Sequence, residues 1–414
     1  MRKSAVALVM VLFAGSSYAQ FSGYASAGYG FHSNPLYNFA TTSDQLLQGY
    51  WQFDYLSSTP AADWKIGYVG GLMQFQDLAG RNYYEHRMSA GSTQRFPDAS
   101  GETDEEGDEV PFKGNTLEWG AKLGARHDRA EYRQFENWGG EVSGTFTWGA
   151  GTAASVALGD ETSLRRYANV PELDNLSSVG SIRLTLGAAP GVRFSLFGGA
   201  GIKHYITSEV DTSVFITVSS SSSSNGKGQG RGKGKSLLAG TGNGKKDILV
   251  NASTVNTVQL YVGMAATREW EGGSAQGELL FRIDPGSSTR VLAQYTNSTL
   301  LTGDLYNDFF SHSGPEFKLM FHQQLAQGFS VSFDAVAQRR KYLSPAFDLE
   351  GVQTASTRID VLGGMEVSLS RYIALGENIG FDVTLAGGVS RNESNDAYND
   401  YSTRHYGLAV GVGF

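Results

Sequence analysis

Two-residue alternation of apolar with small or polar residues, sustained over segments of twelve residues and more, limits this 414-residue chain more than any other feature. At the C-terminus Tyr406, Leu408, Val410, Val412 and Phe414 fall on one side, and His405, Gly407, Ala409, Gly411 and Gly413 on the other. Successive side chains of an extended strand point to opposite faces, so such a segment is greasy on one face only. The pattern recurs upstream. Ile379, Phe381, Val383 and Leu385 oppose Gly380, Asp382, Thr384 and Ala386; Ile359, Val361, Met365, Val367 and Leu369 oppose Arg358, Asp360, Glu366 and Ser368. Phe329, Val331, Phe333 and Ala335 oppose Ser330, Ser332 and Asp334, and similar stripes cover 117–125, 182–188, 192–202 and 258–266.

A soluble sandwich alternates too, because one sheet face meets a core and the other meets water. Its strands, however, run to only about five or six residues. About ten residues tilted by about 45° cross a hydrocarbon layer, and the stripes here are longer than that. Their polar faces carry glycine, threonine and charges of both signs. The fold expected is all-β: a transmembrane antiparallel up-and-down β-barrel.

Connections set the strand number. Short links at 57–62, 149–152, 188–191, 325–328 and 371–377 suit one end, and longer ones at 32–44, 77–80, 169–175, 209–250, 298–312, 343–353 and 392–400 the other. Alternate counting gives about sixteen strands, with fourteen to eighteen allowed, and even parity closes the barrel. The count is least fixed at 82–113 and at 272–297, which reads as one long strand or two shorter ones.

The first twenty residues read as an export signal. Arg2 and Lys3 precede the apolar stretch Ala5 to Ala14, and Ser17-Tyr18-Ala19 offers small residues for cleavage after Ala19. An apolar core of roughly ten residues is too short for a membrane helix. Residues 1–19 are therefore expected to be a signal peptide and 20–414 the barrel. Without Arg2 and Lys3 the formal charge goes from −8 to −10, which argues against nucleic acid as a partner. The chain has no cysteine, so neither a disulfide nor a lipid-modified cysteine contributes to it.

The closing segment Tyr401 to Phe414, with its terminal aromatic and alternating apolar residues, resembles the last strand of bacterial outer-membrane barrels of the porin-like kind. The resemblance covers the exported part as a pattern and singles out no individual family. It implies a Gram-negative outer-membrane location, contact with outer-membrane lipid and lipopolysaccharide, and recognition of Tyr406, Leu408, Val410, Val412 and Phe414 by the barrel insertion machinery. It leaves the oligomeric state open.

Two segments stand outside the pattern. Residues 209–250 carry the serine run Ser219 to Ser224 and then Lys227, Arg231, Lys233, Lys235, Lys245 and Lys246 among glycines. This composition cannot bury a core and is expected to be a disordered outer loop, either simply solvated or touching lipopolysaccharide phosphates. Gly234-Lys235-Ser236 is not a phosphate loop, because Gln229 stands where the motif needs glycine. Residues 98–109 hold seven carboxylates without the ligand spacing of a calcium loop, and parity puts them at the opposite end.

Chemistry is sparse. The seven histidines are dispersed, no metal-ligand spacing or Gly-x-Ser-x-Gly elbow occurs, and no catalytic residue, metal or cofactor is expected. His322 and His405 fall on inward faces as ordinary lumen residues. The same register turns Glu118, Lys122, Arg126, Arg183, Arg193, Lys203, Arg282, Asp284, Glu316, Lys318, Asp334, Arg340, Arg358, Asp360, Glu366 and Asp382 into the barrel. Ions in a dry interior cost several kcal/mol each unless paired, so the lumen is either wet or cross-braced. A passive channel for small hydrophilic solutes is the leading function. An adhesin-like, receptor-like or assembly scaffold without transport is the alternative, and a lipid-modifying enzyme comes last. Trp51, Trp64, Trp119, Trp138 and Trp148 are expected on outward faces near strand ends, where amphipathic rings favour a headgroup boundary.

Overall fold

The computed structural model describes residues 19–35, 42–97, 114–151, 153–207, 249–250, 256–285, 291–292, 310, 312–348, 353–376, 378–397 and 399–414. Residues 1–18 of the expected signal, most of the basic loop at 209–250 and the acidic run at 98–109 lie outside them.

The strands are β1 (Ala19–His32), β2 (Asp44–Ser58), β3 (Ala62–Phe75), β4 (Tyr83–Pro97), β5 (Gly114–Asp128), β6 (Asn137–Ala150), β7 (Ala154–Tyr167), β8 (Asn175–Ala189) and β9 (Val192–Tyr205). They continue as β10 (Leu249–Val250), β11 (Asn256–Trp270), β12 (Gly273–Ile283), β13 (Val291–Leu292), β14 (Gly314–Gln324), β15 (Phe329–Phe347), β16 (Gln353–Ala374), β17 (Gly380–Ser394) and β18 (Tyr401–Gly413). Sixteen of them form one closed antiparallel barrel in which every neighbour is also the neighbour in sequence, apart from the closing pair β1–β18. The other two, β10 and β13, pair with each other outside the barrel wall. The stretch 272–297 is thus one barrel strand followed by this short piece, which leaves the even count of sixteen intact.

Register follows from the alternation, because a slip by one residue would put every apolar side chain on the wrong face. Residues paired across strands share a face. Tyr29 opposite Leu408, Ala27 opposite Val410 and Ala25 opposite Val412 set the outward side at the seam, and the pairings carry that parity round the circuit. Among the described residues fifty large apolar side chains are exposed, against thirteen buried hydrophobic ones. Each would gain about 1.5–3 kcal/mol from leaving water, so this outward belt needs an apolar surround.

Apart from the link 98–113, one end of the barrel is built of short turns. Pro190-Gly191 and Glu271-Gly272 are two-residue links whose glycines have φ of +72° and +73°, and a Cβ at Gly191 would lie 2.2 Å from the Glu269 carbonyl oxygen. At the other end the links are mostly longer, and one of them, 129–136, contains the 3-10 turn Ala130–Phe135. Outward rings collect at the short-turn end: Phe21, Trp64, Phe96, Trp119, Trp148, Phe194 and Phe381 are exposed there. Trp138 lies on the outward face at the long-loop end and Trp51 mid-strand. One carboxylate interrupts the belt. Asp160 of β7 faces outward at mid-height and accepts hydrogen bonds from Thr162 (3.3 Å) and Ser178 (3.1 Å).

Candidate functional site: the barrel lumen

Of the sixteen charged residues expected to point into the barrel, the register puts the fifteen that lie on strands on the inward face, and Asp284 follows the end of β12. They divide into two zones with different chemistry.

At the long-loop end the inward side chains are packed and dry. Leu46, Met73, Phe75 and Tyr83 form an apolar cluster inside the barrel, with Leu78 against it. The Asp44 carboxylate accepts backbone hydrogen bonds from Gln76, Asp77 and Leu78 at 3.1, 3.0 and 2.8 Å and pins that turn over the cluster. Arg126 binds Asp128 through two hydrogen bonds of 2.8 and 2.7 Å and stacks 3.9 Å above the Tyr83 ring. Arg81 rises from the 3-10 turn Ala79–Arg81 to lie over Tyr132 and Phe135. Glu85 sits across from Arg126, buried, and neither of its carboxylate oxygens has a hydrogen-bond partner. The nearby guanidinium of Arg126 compensates the charge without touching it.

The second dry network lies on β11 to β16. Arg282 and Lys318 hold Glu316 at 3.1 and 2.6 Å, and Gln338 donates to the same carboxylate at 2.8 Å. Arg358 pairs with Asp360 and stacks 4.2 Å above Tyr342, while Ser394 donates to Asp360 at 2.6 Å. Phe310 and His312, from the segment between β12 and β14, reach into this wall. Phe310 is buried and its ring lies where a Cβ on Gly201 of β9 would go; Lys203 lies 6.0 Å from that ring. Gln259 donates to the His312 carbonyl at 2.6 Å. Burial, and then the guanidinium groups of Arg340, Arg282 and Arg358, hold the His312 pKa well below the ordinary histidine value. The ring is therefore neutral, and Nε2, facing the Gln338 amide nitrogen at 2.8 Å and Arg282 at 3.2 Å, is the acceptor.

Lower down, the inward ions are exposed. Glu118, Lys122, Arg183, Arg193, Asp334 and Glu366 face the interior and still meet solvent. Since the outward face is fixed by the apolar belt, this exposure requires open space inside the barrel. The signs are also segregated. The inward positions of β8 and β9 carry Arg183, Arg193 and Lys203 and no carboxylate; Arg193 meets Glu269 of β11 at 3.2 Å, and Arg183 lies over the Phe197 ring without an ion pair. Asp334, Glu366 and Asp382 lie on β15, β16 and β17, and β8 and β17 stand seven places apart in the sixteen-strand circuit. Tyr24 donates to Asp382 at 3.2 Å and His405 bonds Glu366 at 3.0 Å. Below His405, β18 presents Gly407, Ala409, Gly411 and Gly413 inward, and the Tyr24 hydroxyl and the Asp382 carboxylate close over Gly411.

Sequence reading missed Arg81, Glu85, Arg87, Asp128, Glu141, Glu161, Gln259, Phe310 and His312. Several of these fall on the same two-residue pattern and were there to be found. Arg81, Phe310 and His312 come from links without periodicity. The pattern also gave no sign that His32 and His405 stack 5.7 Å apart, because only barrel closure brings them together. Neither inward histidine of the sequence reading makes a nucleophile pair backed by an acid. His322 bonds Ser332 at 3.0 Å but no carboxylate, and His405 has Glu366 but faces His32.

The chain matches no protein-family model and no curated protein. It is similar to solved structures of outer-membrane proteins from Pseudomonas aeruginosa. To OprD the identity is 10%, covering 97% of this chain and 95% of that one, with a TM-score of 0.44. To opdK it is 8%, covering 96% and 100%, with a TM-score of 0.40. To OpdL it is 9%, covering 96% and 98%, with a TM-score of 0.44.

Proposed function

We propose that this protein resides in a bacterial outer membrane, with its long loops outside and its short turns in the periplasm, and conducts small hydrophilic solutes passively. The observation that carries this reading is the set of inward ions that remain exposed to solvent in the lower barrel. A filled barrel would bury them at several kcal/mol each, whereas a water-filled one leaves them hydrated. Guanidinium on β8 and carboxylates on β15 to β17 set a transverse field across that water, which orients dipolar solutes and biases the passage of ions. Phe310, His312 and the Arg81 stack narrow the outer mouth and restrict access there. Selectivity then depends on the lower zone and access on the upper one.

Reconstitution in planar bilayers tests this directly. Discrete conductance steps are expected, with a reversal potential in a salt gradient that shifts when Arg183 or Asp382 is reversed in charge. A membrane without steps would favour the scaffold reading, which draws on the packed mouth networks.

A further inference from the structure

Outward faces at the two ends of the barrel differ in a way that the channel reading does not use. At the short-turn end the belt finishes in rings. At the long-loop end, on β15 to β18, it finishes in cations: Arg339 and Lys341 on β15, Arg391 on β17 and Arg404 on β18 all face outward and are exposed. Arg391 pairs with Glu393 on its own strand at 2.9 Å, an ion pair about two-thirds open to solvent. Among the described residues Arg339, Lys341 and Arg404 form no ion pair. By contrast, Arg166, outward on β7, is held by Asp174.

Arg404, Arg391 and Arg339 form an oblique band past one spot, and Lys341 extends the band up β15 beyond Arg339. Arg391 lies directly opposite Gly363 on β16 and Ser402 on β18, and Arg404 is the diagonal neighbour of Arg391. Gly363 in turn faces Ala337, two residues from Arg339. A Cβ on Gly363 would meet nothing within 4 Å, so the cations border an open outward slot. Directly below it run Met365, Val367, Leu369, Leu385, Val389 and Leu408, all exposed and apolar. A ligand that satisfies both parts has anionic groups on top and several acyl chains beneath. Guanidinium forks suit phosphate in particular, and the chain is acidic as a whole, so the patch is a local feature.

We propose that this slot on β15 to β18 is a binding site for a phosphorylated, multi-acyl glycolipid of the outer leaflet, the lipid A part of lipopolysaccharide. Arg339, Lys341, Arg391 and Arg404 take its phosphates, and the apolar stripe below takes its chains. This rests on the outer-membrane placement and orientation proposed above.

The test uses the full exported chain folded in detergent and titrated with bisphosphorylated lipid A, fully dephosphorylated lipid A and inorganic phosphate, with bound lipid read by native mass spectrometry. Bisphosphorylated lipid A is expected to bind, more weakly at high salt. Losing the phosphates, or making the variant R339Q/R391Q/R404Q, should weaken binding by about tenfold or more, as expected for charge-assisted contacts. The pair R268Q/R371Q removes outward cations at the other end and should leave binding unchanged. Should the triple variant fail to fold, R404Q alone together with the salt dependence of the unaltered chain decides. Equal binding of both lipids, equal loss with the R268Q/R371Q pair, or equal occupancy by inorganic phosphate alone would overturn the site. So would absence of lipid A binding by a chain that still gives heat-modifiable migration and conductance steps, which would leave the placement standing. A chain that is soluble without detergent would overturn the placement itself.

Discussion

The outer mouth and the lower lumen are built from the same residue types and solve opposite problems. In the mouth Arg126 and Asp360 are buried and Arg358 is mostly so, and each of these charges has a bonded partner or a ring beneath it. In the lower lumen Arg183, Asp334 and Glu366 are exposed, and charges of one sign stand together. Burial forces pairing, because a lone ion loses hydration with nothing in return; water removes that demand and lets the protein keep an electric asymmetry. The difference shows that inward direction alone does not separate hydrated lumen positions from packed ones. Solvent contact does.

The largest effect that could break this contrast is the removal of a mouth carboxylate. Asp360→Ala strands Arg358 and should cost about 3–5 kcal/mol, read from urea unfolding in detergent, whereas Asp334→Ala should change stability by less than about 0.5 kcal/mol. Equal losses would erase the distinction. Phe310→Ala comes next: it should cost up to about 3 kcal/mol, mostly by releasing the 310–313 segment, and raise single-channel conductance.

Acid offers a milder probe of the mouth. The folded pKa of His312 lies below its unfolded value of about 6.5, so the unfolded state binds more protons in acid and stability rises with pH. The contribution is therefore present above about pH 6.5 and lost as pH falls below it. Arg282, Arg340 and Arg358 face the ring and oppose protonation, with Glu316 and Tyr342 close by. Protection of the Ser313 amide, taken relative to its intrinsic exchange rate, is expected to fall between pH 7 and 5, and His312→Gln should abolish that dependence. Arg193 couples a small stability effect to a functional one. Arg193→Ala breaks a pair that is half exposed on both sides and should cost under about 1 kcal/mol, while still shifting ion selectivity in the bilayer.

Much of the architecture was legible because a barrel strand has only two faces. The stripes of β16, β17 and β18 fixed direction residue by residue, and the two regions hardest to parse, 82–113 and 272–297, did not disturb the even number of strands. The link 129–136 escaped notice because Arg129 to Glu136 carries no glycine or proline, and the turn there is a 3-10 helix stabilised from outside by Arg81. The lining of the lumen was legible for the same reason as the strands. The division into dry and wet zones was not. It depends on which side chains meet after closure: Arg126 chooses Asp128 two residues along its own strand, and His312 reaches Gln338 from a link that no periodicity describes.

The pairing of Leu249-Val250 with Val291-Leu292 has a consequence of its own. It ties the two longest links of the chain, 206–255 and 284–313, to one another, so a change in length on one side must be matched on the other. An antibody that recognises this pair in the folded protein is expected to lose its target when either link is trimmed, because the paired residues come from both.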